Sequence, residues 1–179
     1  MMMRLVAVLF AVWCLSGCAT ITAHRAEQAK WQALADQATA ALGATSVYIV
    51  PIAGIRGRYH CASGRLELGT DHQLERVTRW VLAHELGHAL IGVCGDSLAN
   101  EQNANAAAVR VLQAWGMTET DAAKEVGVML WTVAKSGEMR GMVGHDACAE
   151  LIDLLRRFPA VPHSAGGSTC PALKARGEG

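Results

Sequence analysis

The five residues His84-Glu85-Leu86-Gly87-His88 constrain this chain more than any others. They lie in an apolar run, with Trp80-Val81-Leu82-Ala83 before them and Ala89-Leu90-Ile91 after, which reads as helix. On a helix, residues four apart stand one above the other on the same face. Two imidazoles placed that way can both meet one Zn²⁺ at about 2.0–2.1 Å. Glu85 falls about 100° around the helix from His84. There it reaches a water in the metal's open position without being a ligand itself. A histidine pair on an otherwise apolar face is costly to bury unless something satisfies its nitrogens. A metal satisfies them, and the alternative is two core histidines hydrogen-bonded to backbone.

The N-terminus carries a targeting pattern. Met1-Met2-Met3-Arg4 is a short basic stretch, and Leu5 to Leu15 is an apolar stretch too short for a comfortable membrane span. Leu15-Ser16-Gly17-Cys18 resembles the lipobox of bacterial lipoproteins. That resemblance implies that residues 1–17 are a signal peptide, that Cys18 carries lipid, and that 18–24 form the lipidated cysteine and tether. An ordinary secretory signal with a chance cysteine is the alternative. Ala19 resembles the residue after the lipidated cysteine in lipoproteins sorted to the outer membrane of Gram-negative bacteria. This implies a cell-envelope location facing the periplasm, with membrane contact through the lipid on Cys18. Sixteen Lys and Arg balance sixteen Asp and Glu, and that balance does not point to nucleic acid as a partner.

Cysteine usage fits an oxidising compartment. With Cys14 in the signal and Cys18 lipidated, Cys61, Cys94, Cys148 and Cys170 remain, an even number in an exported domain. Of the three connectivities that four cysteines allow, Cys61–Cys94 and Cys148–Cys170 are favoured. The spacing lacks the paired C-x₂-C of a structural zinc site.

Residues 25–42 read as an amphipathic helix on Trp31, Leu34, Ala38 and Leu42, ended by Gly43. Val47 to Val50 reads as a strand bounded by Pro51, residues 51–64 as loop or irregular hairpin, and Arg65 to Leu68 as a short strand with one face solvated. Thr70-x-x-Gln73 is a capping box for the His84 helix, with Glu75 and Arg79 as a supporting pair and Gly95 as its stop. Asp96 or Ser97 caps a helix from Leu98 to Trp115, and Thr118 caps another to about Lys135. A glycine-rich loop spans 136–144, and His145 to Phe158 is a last helix with Leu151, Leu154, Leu155 and Phe158 as its apolar stripe. The fold class expected is α+β, mostly helical, with a small sheet packed beside the His84 helix. The compact domain spans 25–160, and 161–179 form a loop and tail pinned by Cys170.

A catalytic zinc takes three protein ligands and keeps one position open for water. The third candidate is Glu101, in the first turns of the next helix, which a short loop at Cys94-Gly95-Asp96 brings back beside the histidines. Asn105, four residues on, shares its face and suits a partner to a ligand. At this point the chain resembles the gluzincin metallopeptidases. The resemblance rests on Arg65 to Leu68, Val81 to Leu90, and Glu101-x-x-Ala104-Asn105-x-x-Ala108, and covers about residues 59–113. Within that group the Glu-x-x-Ala-Asn form is similar to small HtpX-like and ImmA/IrrE-like peptidases. It implies a zincin-like fold, one Zn²⁺ held by His84, His88 and Glu101, Glu85 as general base, and Asn105 behind a ligand. The His88 to Glu101 span is short for these families, and Asn105 stands where many members carry Asp.

The chemistry expected is hydrolysis of a peptide bond in a peptide or protein substrate, bound by β-augmentation to Arg65–Leu68. Glu85 would take a proton from the attacking water and give it to the leaving amine. His145 is the leading candidate for a further oxyanion donor, and Tyr59 is another. His60 and His72 read as surface residues, Trp80, Trp115 and Trp131 as core, and His24 and His163 have no role. Two other readings stay open: a non-catalytic lipoprotein of the same fold that binds an envelope partner, and a structural metal site closed by His145 or Asp96.

Overall fold

The computed structural model describes residues 25–54, 56–70, 75–93, 95–137, 142–161 and 170. The signal segment with Cys18, the capping residues 71–74, Cys94, and His24, His72 and His163 lie outside the described residues.

The architecture is α+β, as the sequence implies. Helix α1 covers residues 25–42. Three strands follow, β1 Tyr48–Ile52, β2 Gly57–His60 and β3 Arg65–Gly69. Helices α2 Glu75–Ile91, α3 Leu98–Ala114, α4 Glu119–Ser136 and α5 Ala147–Arg157 complete the elements among the described residues. The sheet order is β1-β3-β2, with β1 parallel and β2 antiparallel to β3. A parallel pair needs a crossover of about a dozen residues. Here residues 53–64 supply it, and β2 forms within them.

The sheet differs from the sequence expectation in three ways, each with a physical reason. Pro51 lies inside β1 rather than ending it. An edge strand tolerates proline because the missing N–H takes nothing from a ladder on its outer side. Residues 57–60 pair as a strand although their pattern is weak, because β3 offers them a partner. And β3 is central, so its backbone is spoken for on both sides and it cannot take a substrate strand.

The two outer edges fare differently. Side chains of α1 close the edge of β1: Ile49 N–H donates to Gln32 Oε1 at 2.9 Å, Gln32 Nε2 donates to the Val47 carbonyl at 2.8 Å, and Gln28 Nε2 donates to the Ile49 carbonyl at 2.9 Å. This satisfies groups that would otherwise recruit another strand. At the outer edge of β2 the Tyr59 N–H is taken by Glu85 of α2, and the strand lines the cleft.

The core runs through all layers. It joins Trp31, Ala35 and Ala38 of α1, Ile49, Leu66 and Leu68 of the sheet, Leu82 and Leu86 of α2, Val109 and Leu112 of α3, Val126 and Leu130 of α4, and Leu151 and Leu154 of α5. Trp80, Trp115 and Trp131 pack against its margin. Helices α2 and α3 pack closest. Gly87 permits this, since a Cβ there would collide with the carbonyl oxygen of Ala104. Helix α2 stops at Ile91 with Gly92 left-handed at φ 61°, a turn before the expected Gly95. Ser97 and Thr118 cap α3 and α4 with their side chains. The last helix begins at Ala147 with Asp146 as its cap, which leaves His145 in the loop before it. Glu75 pairs with Lys30 at 2.8 Å rather than with Arg79, whose guanidinium lies over the Trp115 ring. Cys148 and Cys170 are disulfide-bonded with Cα atoms 5.4 Å apart, one of the two pairings expected. No helix among the described residues is long and apolar enough to cross a membrane.

Candidate metal centre

Helix α2 places His84 and His88 one turn apart, and the tight α2–α3 contact sets the first turn of α3 against them. The three candidate ligand atoms converge. His84 Nε2 is 3.1 Å from Glu101 Oε2, His88 Nε2 is 3.3 Å from the same oxygen, and the two histidine nitrogens are 3.3 Å apart. Four ligands arranged tetrahedrally at about 2.0–2.1 Å from zinc stand about 3.3–3.4 Å from one another. The triangle therefore has the dimensions of one face of a zinc tetrahedron. Among the described residues these three form the group able to hold a metal ion, and neither His145 nor Asp96 joins it.

Hydrogen bonds behind the triangle settle which nitrogens are bare. Asn105, buried at 1% exposure, donates from Nδ2 to Glu150 Oε2 at 2.7 Å. Its Oδ1 is 3.0 Å from His84 Nδ1 and so must accept from it. A neutral His84 then has its proton on Nδ1 and a lone pair on Nε2, the tautomer a metal requires. Without a metal, the electrostatics favour a proton on that nitrogen. Burial alone would push the His84 imidazole down, but the Glu101 hydrogen bond and the charges of Glu85, Glu101 and Glu150 outweigh it and raise it to about 9. Burial would push Glu101 up, yet its bonds to His84 and His88 hold it well below the usual carboxylate range. The cluster draws a positive charge to its centre, and a proton takes that place when a metal does not.

Glu85 stands apart from the triangle. Its Oε2 accepts a hydrogen bond from the Tyr59 backbone N–H at 2.8 Å. Gly57 makes room for it: a Cβ there would lie 2.5 Å from Glu85 Cγ and 2.6 Å from Val81 Cγ1. Strand β2 thus holds the carboxylate beside the centre by one hydrogen bond and one absent side chain. Tyr59 is engaged through its backbone, with its ring packed against the core margin.

His145 lies on the far side. Its Nδ1 is 3.3 Å from Glu150 Oε1 and 3.5 Å from Glu101 Oε2, and its ring centroid is 6.2 Å from that of His84. Burial would lower it, but the Glu150 hydrogen bond and the Glu101 and Glu150 charges raise it. Among the described residues its Nε2 has no partner. All these groups open on a cleft of about 740 Å³, lined also by Arg56, Arg58, His60, Asp96, Met142 and Val143. His60, expected on the surface, is half-buried in this wall beside Glu67 at 3.4 Å.

Glu150 escaped the sequence reading. Its signal was present: Ala147, Glu150, Leu151, Leu154, Leu155 and Phe158 recur at three to four residues, so an acid stands inside an apolar stripe. No protein-family model, curated protein or solved structure matches this chain.

Proposed function

We propose that the protein is a zinc-dependent endopeptidase held in the bacterial envelope by lipid on Cys18, facing the periplasm. The observation that carries the hydrolytic reading is the division of labour in the cleft. Three side chains converge at the spacing of a zinc tetrahedron, leaving one position open, while Glu85 is held beside them and off the ligand set. A purely structural zinc site is closed by four protein ligands and has no use for such a carboxylate.

Zinc, when bound, supplies Lewis acidity and brings a water toward ionisation near neutral pH. Glu85 takes the proton from the attacking water and delivers it to the leaving amine, so its free Oε1 is the working atom. The Tyr59 N–H fixes its Oε2 and keeps the carboxylate from swinging onto the metal ligands. His145 is held at Nδ1 by Glu150, whose hydrogen bond and charge favour its protonation against burial, and in its protonated form it offers Nε2–H to the oxygen that develops charge. The peptide lies along the outer edge of β2. Alternate residues of an edge strand point their backbone groups outward. The Arg56 carbonyl accepts from Gly69 N–H, so the groups of Gly57 and Tyr59 face the cleft. With the Tyr59 N–H held by Glu85, an extended peptide would pair through the Gly57 N–H and carbonyl and the Tyr59 carbonyl beside that carboxylate, which moves the β-augmentation expected on β3 to its neighbour.

Glu85→Gln tests this reading. It keeps the volume and the Tyr59 contact but removes the base. The expected result is unchanged zinc content with cleavage of unfolded protein substrates reduced at least about 100-fold. Wild-type cleavage by a zinc-loaded variant would sink the mechanism.

A further inference from the structure

Glu150 has none of the roles above, yet it touches both halves of the site. It lies on α5 at 1% exposure, 45 residues along the chain from Asn105. Its Oε2 accepts from Asn105 Nδ2 at 2.7 Å. Its Oε1 accepts from the Asp146 backbone N–H at 3.1 Å and from His145 Nδ1 at 3.3 Å. A carboxylate only accepts, so each of these neighbours must turn a donor toward it.

For Asn105 the consequence is decisive. An amide has two ends of nearly equal shape, and nothing in asparagine itself prefers one orientation. With Nδ2 drawn to Glu150, Oδ1 faces His84, and the His84 proton belongs on Nδ1. The flipped amide would offer N–H to Nδ1 and send the proton to Nε2, where it would block the ligand position. Asparagine also brings no charge to the histidine, and Glu150 supplies one a single link further back. For His145 the same carboxylate holds the ring by Nδ1 and leaves Nε2 for the cleft.

We infer that Glu150 is a positioning residue, one buried carboxylate that fixes through Asn105 which nitrogen of His84 is bare and that aims His145 at the same centre. The inference rests on the reading of the site as a metal centre. It explains why an acid sits in the apolar stripe of α5. It also gives α5 a part in the site, although the ligands lie on α2 and α3.

The test is a double-mutant cycle on the full chain, with zinc affinity read by chelator competition. Glu150→Gln is expected to weaken zinc binding about 10–100-fold, the usual effect of removing a partner behind a ligand. Because the effect passes through Asn105, the Glu150→Gln/Asn105→Ala double variant binds no more weakly than Asn105→Ala alone. Full additivity, which a merely structural role would give, overturns the inference, and so does a Glu150→Gln variant with wild-type affinity. A wild type that takes no zinc overturns the metal-centre reading, and this inference with it. Should that variant fail to fold, Glu150→Asp, which keeps the charge but shortens the reach to Asn105, takes its place in the same cycle: weakened zinc binding that disappears in the Asn105→Ala background supports the inference, and wild-type affinity or full additivity overturns it.

Discussion

Replacing Gly57 by alanine puts a methyl group where Glu85 already stands. Gly57 is not among the glycines with positive φ, so its backbone accepts alanine and only space forbids it. The new Cβ would lie 2.5 Å from Glu85 Cγ. Non-bonded carbons settle at about 3.5–4.0 Å, so the two must part by about 1–1.5 Å. Strand β2 is an edge strand and can yield, but the Tyr59 N–H that holds Glu85 would move with it. Either way the carboxylate leaves its place. A misplacement of about 1 Å costs on the order of 100-fold in rate, or about 2.7 kcal/mol of barrier. The strain costs about 1–3 kcal/mol in stability. His84, His88 and Glu101 lie on α2 and α3, so zinc content should not change. The assay is zinc stoichiometry, thermal melting and cleavage rate on one preparation. A folded Gly57→Ala protein that holds zinc and cleaves at the wild-type rate would refute the claim that β2 positions the base.

Three further outcomes are expected. Zinc must displace a proton from His84, whose imidazole is raised to about 9, so apparent zinc affinity should fall about tenfold per unit as pH drops from 8 to 6; a flat profile in chelator competition would contradict this. In the metal-free protein the raised His84 stabilises fully below its ordinary 6.5 and loses that contribution as pH rises through about 9, while the depressed Glu101 stabilises above its ordinary 4.5 and loses its share in acid. The metal-free melting temperature should therefore fall on both sides of a plateau near pH 4.5–6.5, and zinc should extend that plateau upward. Finally, the Cys148–Cys170 bridge closes 22 residues of sequence separation, so Cys170→Ala should cost about 3 kcal/mol in denaturant unfolding, and no loss would show that the bridge does not constrain the unfolded chain.

What the sequence reveals here follows from distance along the chain. His84, Glu85 and His88 are legible because four residues make one helical turn and the apolar flanks leave no other structure. Glu101 is legible because a short reversal returns α3 to the same point, and Asn105 because it stands one turn further on. Glu150 is separated from Asn105 by the whole of α4, and only the packing of α5 brings it in. Its one local trace is an acid in an apolar stripe. The sheet was harder still, because pairing is not local. Residues 57–60 carry too little hydrophobic pattern to announce a strand, and the central position of β3 depends on β2 being there. The expected position of His145 as the first residue of α5 missed by two, since Asp146 takes the cap.

The most direct test of the central claim is the metal content of the purified protein, measured beside Glu101→Ala after reconstitution with zinc and removal of excess. The account predicts close to one zinc per chain in the wild type and little in the variant. No zinc in the wild type, or full occupancy in the variant, would contradict a centre built from His84, His88 and Glu101.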